Sequence, residues 1–541
     1  MGDVTTEGSL RELWQQLLAV ADIHDDSNFF TLGGHSMLAT RLMSRARRTL
    51  GVDLPARLIF DRPVFGPFVA GVEAVLAGGA DTDRPVVAIT GATTGPLSLQ
   101  QEQLMLVESV LGPSPANHTA VAVELGTTPD IPVLRHAVEL LRTRHDALRT
   151  RFAATASGHT QSTVPADTLP PLVFEEHDLR SVPANKVEVR ARRLVRGLFL
   201  TPFDLAGGET LRAQLFHRDT GADVLVLHVH HLSCDGVSHG ILLDDLDATY
   251  SALAAGQPPP APPAGVGYQD YARWQHDNRE RLVRASAAHW RDTVLSLADA
   301  DPTSAGRAGG SGVGTVERTT RVLDTDVVAR AARWATPQGL TEFAVVTAAV
   351  AAGMAELTGR TRIGVGVLLD NRTIVEVERT VGPFAISALL AVPTAEGDTG
   401  LAVVRSVREQ WLAAQRWAAL PLEVLPADPL AEFAFADAGE LVDVVVAMDT
   451  ARDSRPTSGR LAMTRLADVG KPLVATVLGP PLTVSVNVAD SGTTRLTVER
   501  RTGADGVPTA VDVLDGSVRA LLAIADDPAA PVVGTPIAGR R

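Results

Sequence analysis

Leu10, Leu13, Trp14, Leu17 and Leu18 recur at helical spacing near the start of the chain, with mostly polar residues between them. The pattern predicts an amphipathic helix ending near Val20, opened by a capping box of Ser9 and Glu12. A polar loop through Asp25, Asp26, Ser27 and Asn28 follows, then Phe29, Phe30 and Leu32, then the pair Gly33–Gly34. A second helix starts at about Ser36, buries Leu38, Leu42 and Ala46, and stops at Gly51. Pro63 precedes a last helix built on Phe68, Val72, Val75 and Leu76. Residues 1–77 therefore read as a small all-α unit, three helices and a short turn in the outline of a four-helix bundle.

Residues 78–95, opening on the polar run Gly78 to Arg84, read as a linker. From about residue 96 to 541, helical and strand periods alternate, the mark of an α/β region. Leu211 to Phe216 and Val224 to His230 predict a hairpin turning at Asp219, Thr220 and Gly221. The Pro-rich stretch Pro258 to Pro263 reads as the bridge between an N-terminal half, about 96–275, and a C-terminal half, 276–525. Thr303 to Thr315, rich in Gly and Ser, reads as a mobile loop, and the tail after Asp526 as frayed.

With 541 residues, 45% of them hydrophobic, the chain can bury several cores. A net charge of −14 argues against a general nucleic-acid binder, which needs a basic surface. The single Cys excludes an internal disulfide. Met1 to Gly8 has no basic or apolar leader region, and no apolar run approaches the ~20 residues that cross a bilayer. A cytoplasmic chain without membrane or nucleic-acid partners is expected.

The first chemical signal is a serine behind two glycines at a helix start. The glycines let the backbone turn sharply and leave Ser36 unobstructed, and a helix N-terminus stabilises an attached phosphate. A plain N-cap role is the alternative. Asp25 to Leu42, centred on Leu32–Gly33–Gly34–His35–Ser36, resembles the attachment motif of peptidyl carrier proteins, and the likeness extends over residues 8–77. The resemblance implies that Ser36 bears covalent 4′-phosphopantetheine, placed by a phosphopantetheinyl transferase, whose thiol holds an acyl or peptidyl donor. Arg41, Arg45, Arg47 and Arg48 on the same helix read as a solvated face, with docking as the alternative.

The second signal follows the predicted strand: His230–His231–Leu232–Ser233–Cys234–Asp235–Gly236. It matches the HHxxxDG signature of condensation domains of nonribosomal peptide synthetases. Arg144 to Phe152, Pro202 to Leu205, Tyr268 to Gln275 and Val381 to Phe384 resemble further motifs of that family, in its order, over about residues 97–520. The resemblance implies two chloramphenicol-acetyltransferase-like subdomains in a V with a tunnel between them. There the α-amine of an aminoacyl group on a downstream carrier attacks the donor thioester, forming an amide. His231 becomes the catalytic centre, as general base, orienting group or stabiliser of the tetrahedral intermediate. Asp235 is implied to be structural, with Arg372 as its candidate partner from the other half; His230 is a buried neighbour, and Gly236 permits close backbone approach. Gly112 is a candidate beside the acceptor channel, where a bulky residue would narrow the passage. Zinc on His228, His230 and Asp235 lacks the usual ligand spacing, so no metal is expected. Cys234 reads as packing, and His228 and His239 as ordinary histidines.

The likeness thins in the C-terminal half. Ala385–Ile386–Ser387–Ala388 stands where the family has an Asn-containing segment, and Leu420–Pro421–Leu422–Glu423 is a reduced sixth motif. Epimerisation of the carrier-bound residue and a non-catalytic recruitment platform are the rival readings. The GGHS form at Ser36 favours condensation, with an L or achiral donor. No adenylation domain is present, so an upstream adenylation domain must load Ser36.

Overall fold

Thr5 opens the first helix: its hydroxyl accepts the Gly8 amide at 3.1 Å, and the Ser9 amide already donates to the Thr5 carbonyl. The expected box of Ser9 and Glu12 thus lies inside α1 (Thr6–Leu18), because a competent cap sits one turn earlier. α2 (Ser36–Leu50), the single turn α3 (Leu58–Asp61) and α4 (Phe65–Ala77) complete the bundle. Trp14 lies at its centre, edge-on to Phe29 and Phe65 at 5.1 and 5.2 Å.

The computed structural model describes residues 5–78, 87, 89–155, 158–219, 221–262, 265–300, 314–323, 326–417, 441–450, 457–466, 474–475, 481–488, 493–503 and 506–534. Half of the expected linker, the loop from Thr303 up to residue 313, and Leu420 to Glu423 lie outside them.

Two α/β lobes follow the bundle. The first holds β1 (Thr94–Pro96), α5 (Leu99–Leu111), β2 (His118–Glu124), α6 (Ile131–Arg144), β3 (Thr150–Thr155) and β4 (Gly158–Thr163). It continues through β5 (Val173–Asp178), α7 (Ala184–Leu200), β6 (Leu211–His217), β7 (Val224–His230), α8 (Gly236–Ala254) and α9 (Tyr268–Asp277), after which comes α10 (Arg279–Ala300). The second lobe holds β8 (Gly314–Leu323), α11 (Val327–Ala335), α12 (Glu342–Thr358), β9 (Arg362–Leu369), β10 (Ile386–Pro393) and α13 (Gly400–Trp417). It ends with β11 (Val444–Thr450), β12 (Thr464–Arg465), β13 (Val474–Ala475), β14 (Leu482–Val488), β15 (Thr494–Arg501) and α14 (Ala510–Asp526).

The strands form sheets ordered β12-β2-β7-β6-β5, β10-β9-β11-β14-β15-β8-β13 and β1-β4-β3. β6 and β7 are the antiparallel hairpin expected from the apolar runs, and β7 is buried along its whole length between β2 and β6. A strand covered on both faces reads as an unbroken apolar run, which Val224 to Val229 is apart from His228. β12, late in the chain, crosses to the first lobe and pairs antiparallel with β2. Asp247 of α8 fastens that crossing by accepting the amides of Gly459 and Leu461 at 2.9 and 2.8 Å.

Two local expectations are corrected. The Pro-rich stretch lies against the first lobe, where Arg144 donates to the carbonyls of Pro260 and Ala261. The chain crosses between lobes through α9 and α10 instead, since a helix satisfies its own backbone while it bridges. The tail after Asp526 is tied down through residue 534: Pro531 bridges Thr399 and Val533 is buried. Among the described residues no single helix is long and apolar enough to cross a membrane.

The bundle sits on the second lobe. Phe60 packs edge-on to Trp411 at 5.6 Å, and the Ser44 hydroxyl donates to the Thr373 carbonyl at 3.1 Å. Arg45 grips Glu378 with two hydrogen bonds of 3.0 and 2.6 Å, and Arg408 meets Asp61 at 2.7 Å. Arg45 is therefore a docking residue, whereas Arg47 turns back to the Leu54 carbonyl within the bundle.

Candidate active site

β7 ends at His230, and the next three residues make a 3-10 turn, His231–Ser233, before α8 begins. Asp235 is the N-cap of α8, accepting the Ser238 amide at 2.8 Å. The same carboxylate takes two hydrogen bonds from Arg372, at 2.8 and 3.0 Å, and the amides of Phe384 and Ala385 at 3.0 and 3.1 Å. Arg372 comes from the second lobe, is 1% exposed, lies over the Phe384 ring at 4.4 Å and also reaches Asp370. Burial alone would raise the Asp235 carboxyl, but the Arg372 charge and the converging donors outweigh it and hold it below the usual range.

Ser238 adds a second tie between the lobes, exchanging hydrogen bonds of 3.0 Å with the Gly382 backbone through its hydroxyl. Gly382 is required there, because a Cβ would lie 1.9 Å from the Tyr268 ring. Tyr268 donates to the Pro383 carbonyl at 2.9 Å and meets Ser98 at 2.7 Å. The motifs read from the sequence are thus largely fasteners around the turn. Arg144 likewise anchors α8 through Asp245 at 2.8 Å.

His231 is half-buried, and neither of its ring nitrogens hydrogen-bonds a described residue; Nδ1 is buried. His230 is turned inward, with Nδ1 accepting the Leu232 amide at 3.2 Å and Nε2 3.4 Å from Glu108 Oε1. Gln101 Nε2 donates to the Leu232 carbonyl at 3.0 Å. Glu108 and Ser238 were not legible as site residues: they stand in no recognised chemical pattern and approach the turn only through the fold.

Gly236 behaves differently from expectation. Among the described residues a Cβ there would meet no atom within 4 Å, so no described segment packs against it at the start of α8. Gly112 closes α5 at φ +70° with similarly open surroundings, so a side chain there is strained by its backbone, not by neighbours. Cys234 is fully buried, and burial with the Asp235 charge raises its thiol well above the ordinary value, which suits packing.

His228 bonds Gln214 at 3.0 Å and His239 meets Thr119 at 3.1 Å. Burial drives both down to about 3, and His118 to about 4. Below the ordinary imidazole value of about 6.5 the unfolded chain takes up protons that these rings refuse, so their contribution to stability is complete above that pH and falls with acid. His217, pulled down by burial but raised more by Asp223 and Glu176, opposes the trend. Each buried neutral ring is expected to withdraw roughly 1.4 kcal/mol per pH unit below 6.5. Thermal melts from neutral pH to about pH 5 check this, with His228→Gln expected to flatten the slope by that amount.

Ser36 is the first residue of α2, half-exposed, and its hydroxyl bonds no described side chain or backbone. The residue before it, His35, makes no side-chain capping bond to the helix. Gly34 is wedged against Phe29, where a Cβ would lie 2.3 Å from the ring, so the chain can reach the helix start only with glycine there. An accessible hydroxyl at an uncapped helix N-terminus fits a phosphate-linked arm.

A small helical bundle with such a serine, seated on a two-lobed α/β protein whose lobes meet at an HHxxxDG turn, defines a carrier-linked acyltransferase. The family model "Condensation domain" matches residues 92–465, and "Phosphopantetheine attachment site" matches residues 8–70. The chain belongs to the condensation-domain family of nonribosomal peptide synthetases, acyltransferases that form peptide bonds, with a phosphopantetheine-bearing carrier domain ahead. It is 33% identical over 432 residues, 77% of its length, to the probable non-canonical nonribosomal peptide synthetase CymA of Salinispora arenicola. It spans only 5% of that relative and 8% of the malpibaldin synthetase of Mortierella alpina, which is 31% identical over 77% of this chain. Its fold matches the first condensation domain of the calcium-dependent antibiotic synthetase, with a TM-score of 0.67 at 22% identity over 82% of this chain and all of the other.

Proposed function

We propose that Ser36 carries the phosphopantetheine arm and that the lobes join its donor to the α-amine of an aminoacyl group on a downstream carrier. When attached, the arm supplies a terminal thiol that holds the donor as a thioester. The amine nitrogen bonds to the thioester carbon, the C–S bond breaks, and the thiol leaves with a proton while the amine loses one. An upstream adenylation domain and a phosphopantetheinyl transferase prime the carrier, and the GGHS form favours an L or achiral donor. The observation that carries the reading is the half-buried His231 imidazole, unengaged among the described residues, on a turn braced by both lobes.

His231 acts by holding the attacking amine and facing the developing oxyanion. Asp235 is committed to Arg372 and to backbone amides, so it does not back the imidazole as a triad carboxylate would. A thioester is already activated and the amine is partly neutral at cellular pH, so placement supplies the main acceleration.

The test loads the protein with a synthetic aminoacyl-pantetheine by means of a phosphopantetheinyl transferase, then adds an aminoacylated acceptor carrier. Intact-protein mass spectrometry follows both chains. Loading that disappears in Ser36→Ala, and transfer that requires His231, are the expected results. Loading without transfer from any donor would replace the reading by epimerisation or recruitment, which α-proton exchange on the loaded donor separates.

Docking is expected to depend on charge. Arg45→Glu faces Glu378 with a like charge and is expected to slow transfer from the tethered carrier about tenfold, while Arg45→Glu with Glu378→Arg restores it. Transfer from a small-molecule donor thioester, which needs no docking, is the control.

A further inference from the structure

We infer that Glu108 is a positioning residue for the amide-forming turn: acting through His230, it fixes the ring on which the backbone after His231 is built. The inference rests on the amide-forming reading above.

Geometry determines where the His230 proton sits. Nδ1 accepts the Leu232 amide at 3.2 Å, so that nitrogen carries no proton while the bond stands. The proton of the neutral ring is then on Nε2, which faces Glu108 Oε1 at 3.4 Å. Glu108 is held from behind by Asn117, whose Nδ2 donates to it and to the Leu104 carbonyl, both at 2.9 Å. Phe203 and His118 stand edge-on to the His230 ring at 5.7 and 5.6 Å, limiting its rotation. Burial keeps His230 in its neutral form despite the neighbouring carboxyl.

Leu232 follows His231 directly. Its amide is held by His230 and its carbonyl by Gln101, so the backbone is pinned on both sides of one residue. Without Glu108 the Nε2 proton loses its acceptor inside the protein, and a ring that moves its proton to Nδ1 can no longer accept the Leu232 amide. The turn loses one of its two pins, and His231 loses its aim. The cost falls on the rate of transfer more than on substrate binding, because catalysis is the step that needs the placement.

The test uses the loaded full chain with ¹⁵N-labelled histidine, in wild type, Glu108→Gln and Glu108→Leu, with His230→Gln assigning the ring signals. Wild type and Glu108→Gln are expected to show His230 protonated on Nε2 across neutral pH, and Glu108→Leu a mixture of tautomers. Transfer is expected to fall about 10²-fold in Glu108→Leu at unchanged KM for the acceptor carrier, and to stay within about threefold in Glu108→Gln. An unchanged tautomer in Glu108→Leu, or Glu108→Gln as slow as Glu108→Leu, overturns the inference. If Glu108→Leu does not fold, Asn117→Ser frees Glu108 without emptying its pocket: a tautomer mixture supports the link, and unchanged tautomer and rate refute it. A wild type that transfers nothing would sink the amide-forming reading, while the spectra still decide the role of Glu108.

Discussion

Asp235→Ala is expected to cost about 3–5 kcal/mol of stability, enough to remove much of a domain's margin. The substitution strands the Arg372 guanidinium, 1% exposed, with only Asp370 as an anionic partner among the described residues. It also takes the acceptor from the amides of Ser238, Phe384 and Ala385, so both lobes lose contacts at one point. Replacing the pair together, Asp235→Leu with Arg372→Met, is expected to recover only part of the loss. The charge imbalance disappears, but three amides stay without their acceptor. Arg372→Lys is expected to resemble a loss, because a single ammonium cannot supply the paired geometry. Denaturant unfolding of the variants and the wild type measures each difference. A loss below about 1 kcal/mol in Asp235→Ala would show that the pair is not what joins the lobes.

His231→Ala is expected to lower donor transfer by about 10²-fold or more with little change in stability, since its ring nitrogens bond no described residue. The pH profile discriminates between roles. If His231 places the amine, wild type and variant both gain rate as the α-amine loses its proton near pH 8, in parallel. A lower limb that vanishes with His231 would make it the general base instead. Single-turnover transfer from pre-loaded carrier, read by mass spectrometry, keeps loading and product release out of the rate.

The two candidate centres were legible because each is local. Gly33–Gly34–His35–Ser36 is a turn into a helix, and His230 to Gly236 is a strand end into a helix, so neighbours in sequence hold the geometry. Arg372 was reached only through family resemblance: nothing in Leu369 to Arg372 itself points 137 residues back to Asp235. Glu108 left no signal at all, and Gln101 stood only within Leu97 to Leu104, a loose version of the family's first core motif. They lie on one helix among ordinary polar residues, and their partners on the turn lie more than a hundred positions away. The capping box failed for a simpler reason, since two possible caps stood a turn apart and the earlier one was used.

What the amino-acid order determined by itself is the set of elements: the period of Leu10 to Leu18, the apolar run of β7, and glycines where the chain must turn. Local sterics and burial periodicity act over a few residues and are written in the chain. What only the tertiary structure decided is how the pieces bear on one another. It seats the bundle through Arg45 and Glu378, and it closes the lobes on one carboxylate. It also leaves His231 unengaged among the described residues while His230 is locked away. Those outcomes depend on distance in space between residues far apart in sequence, and a buried charge finds its partner only when both lobes have been built around it.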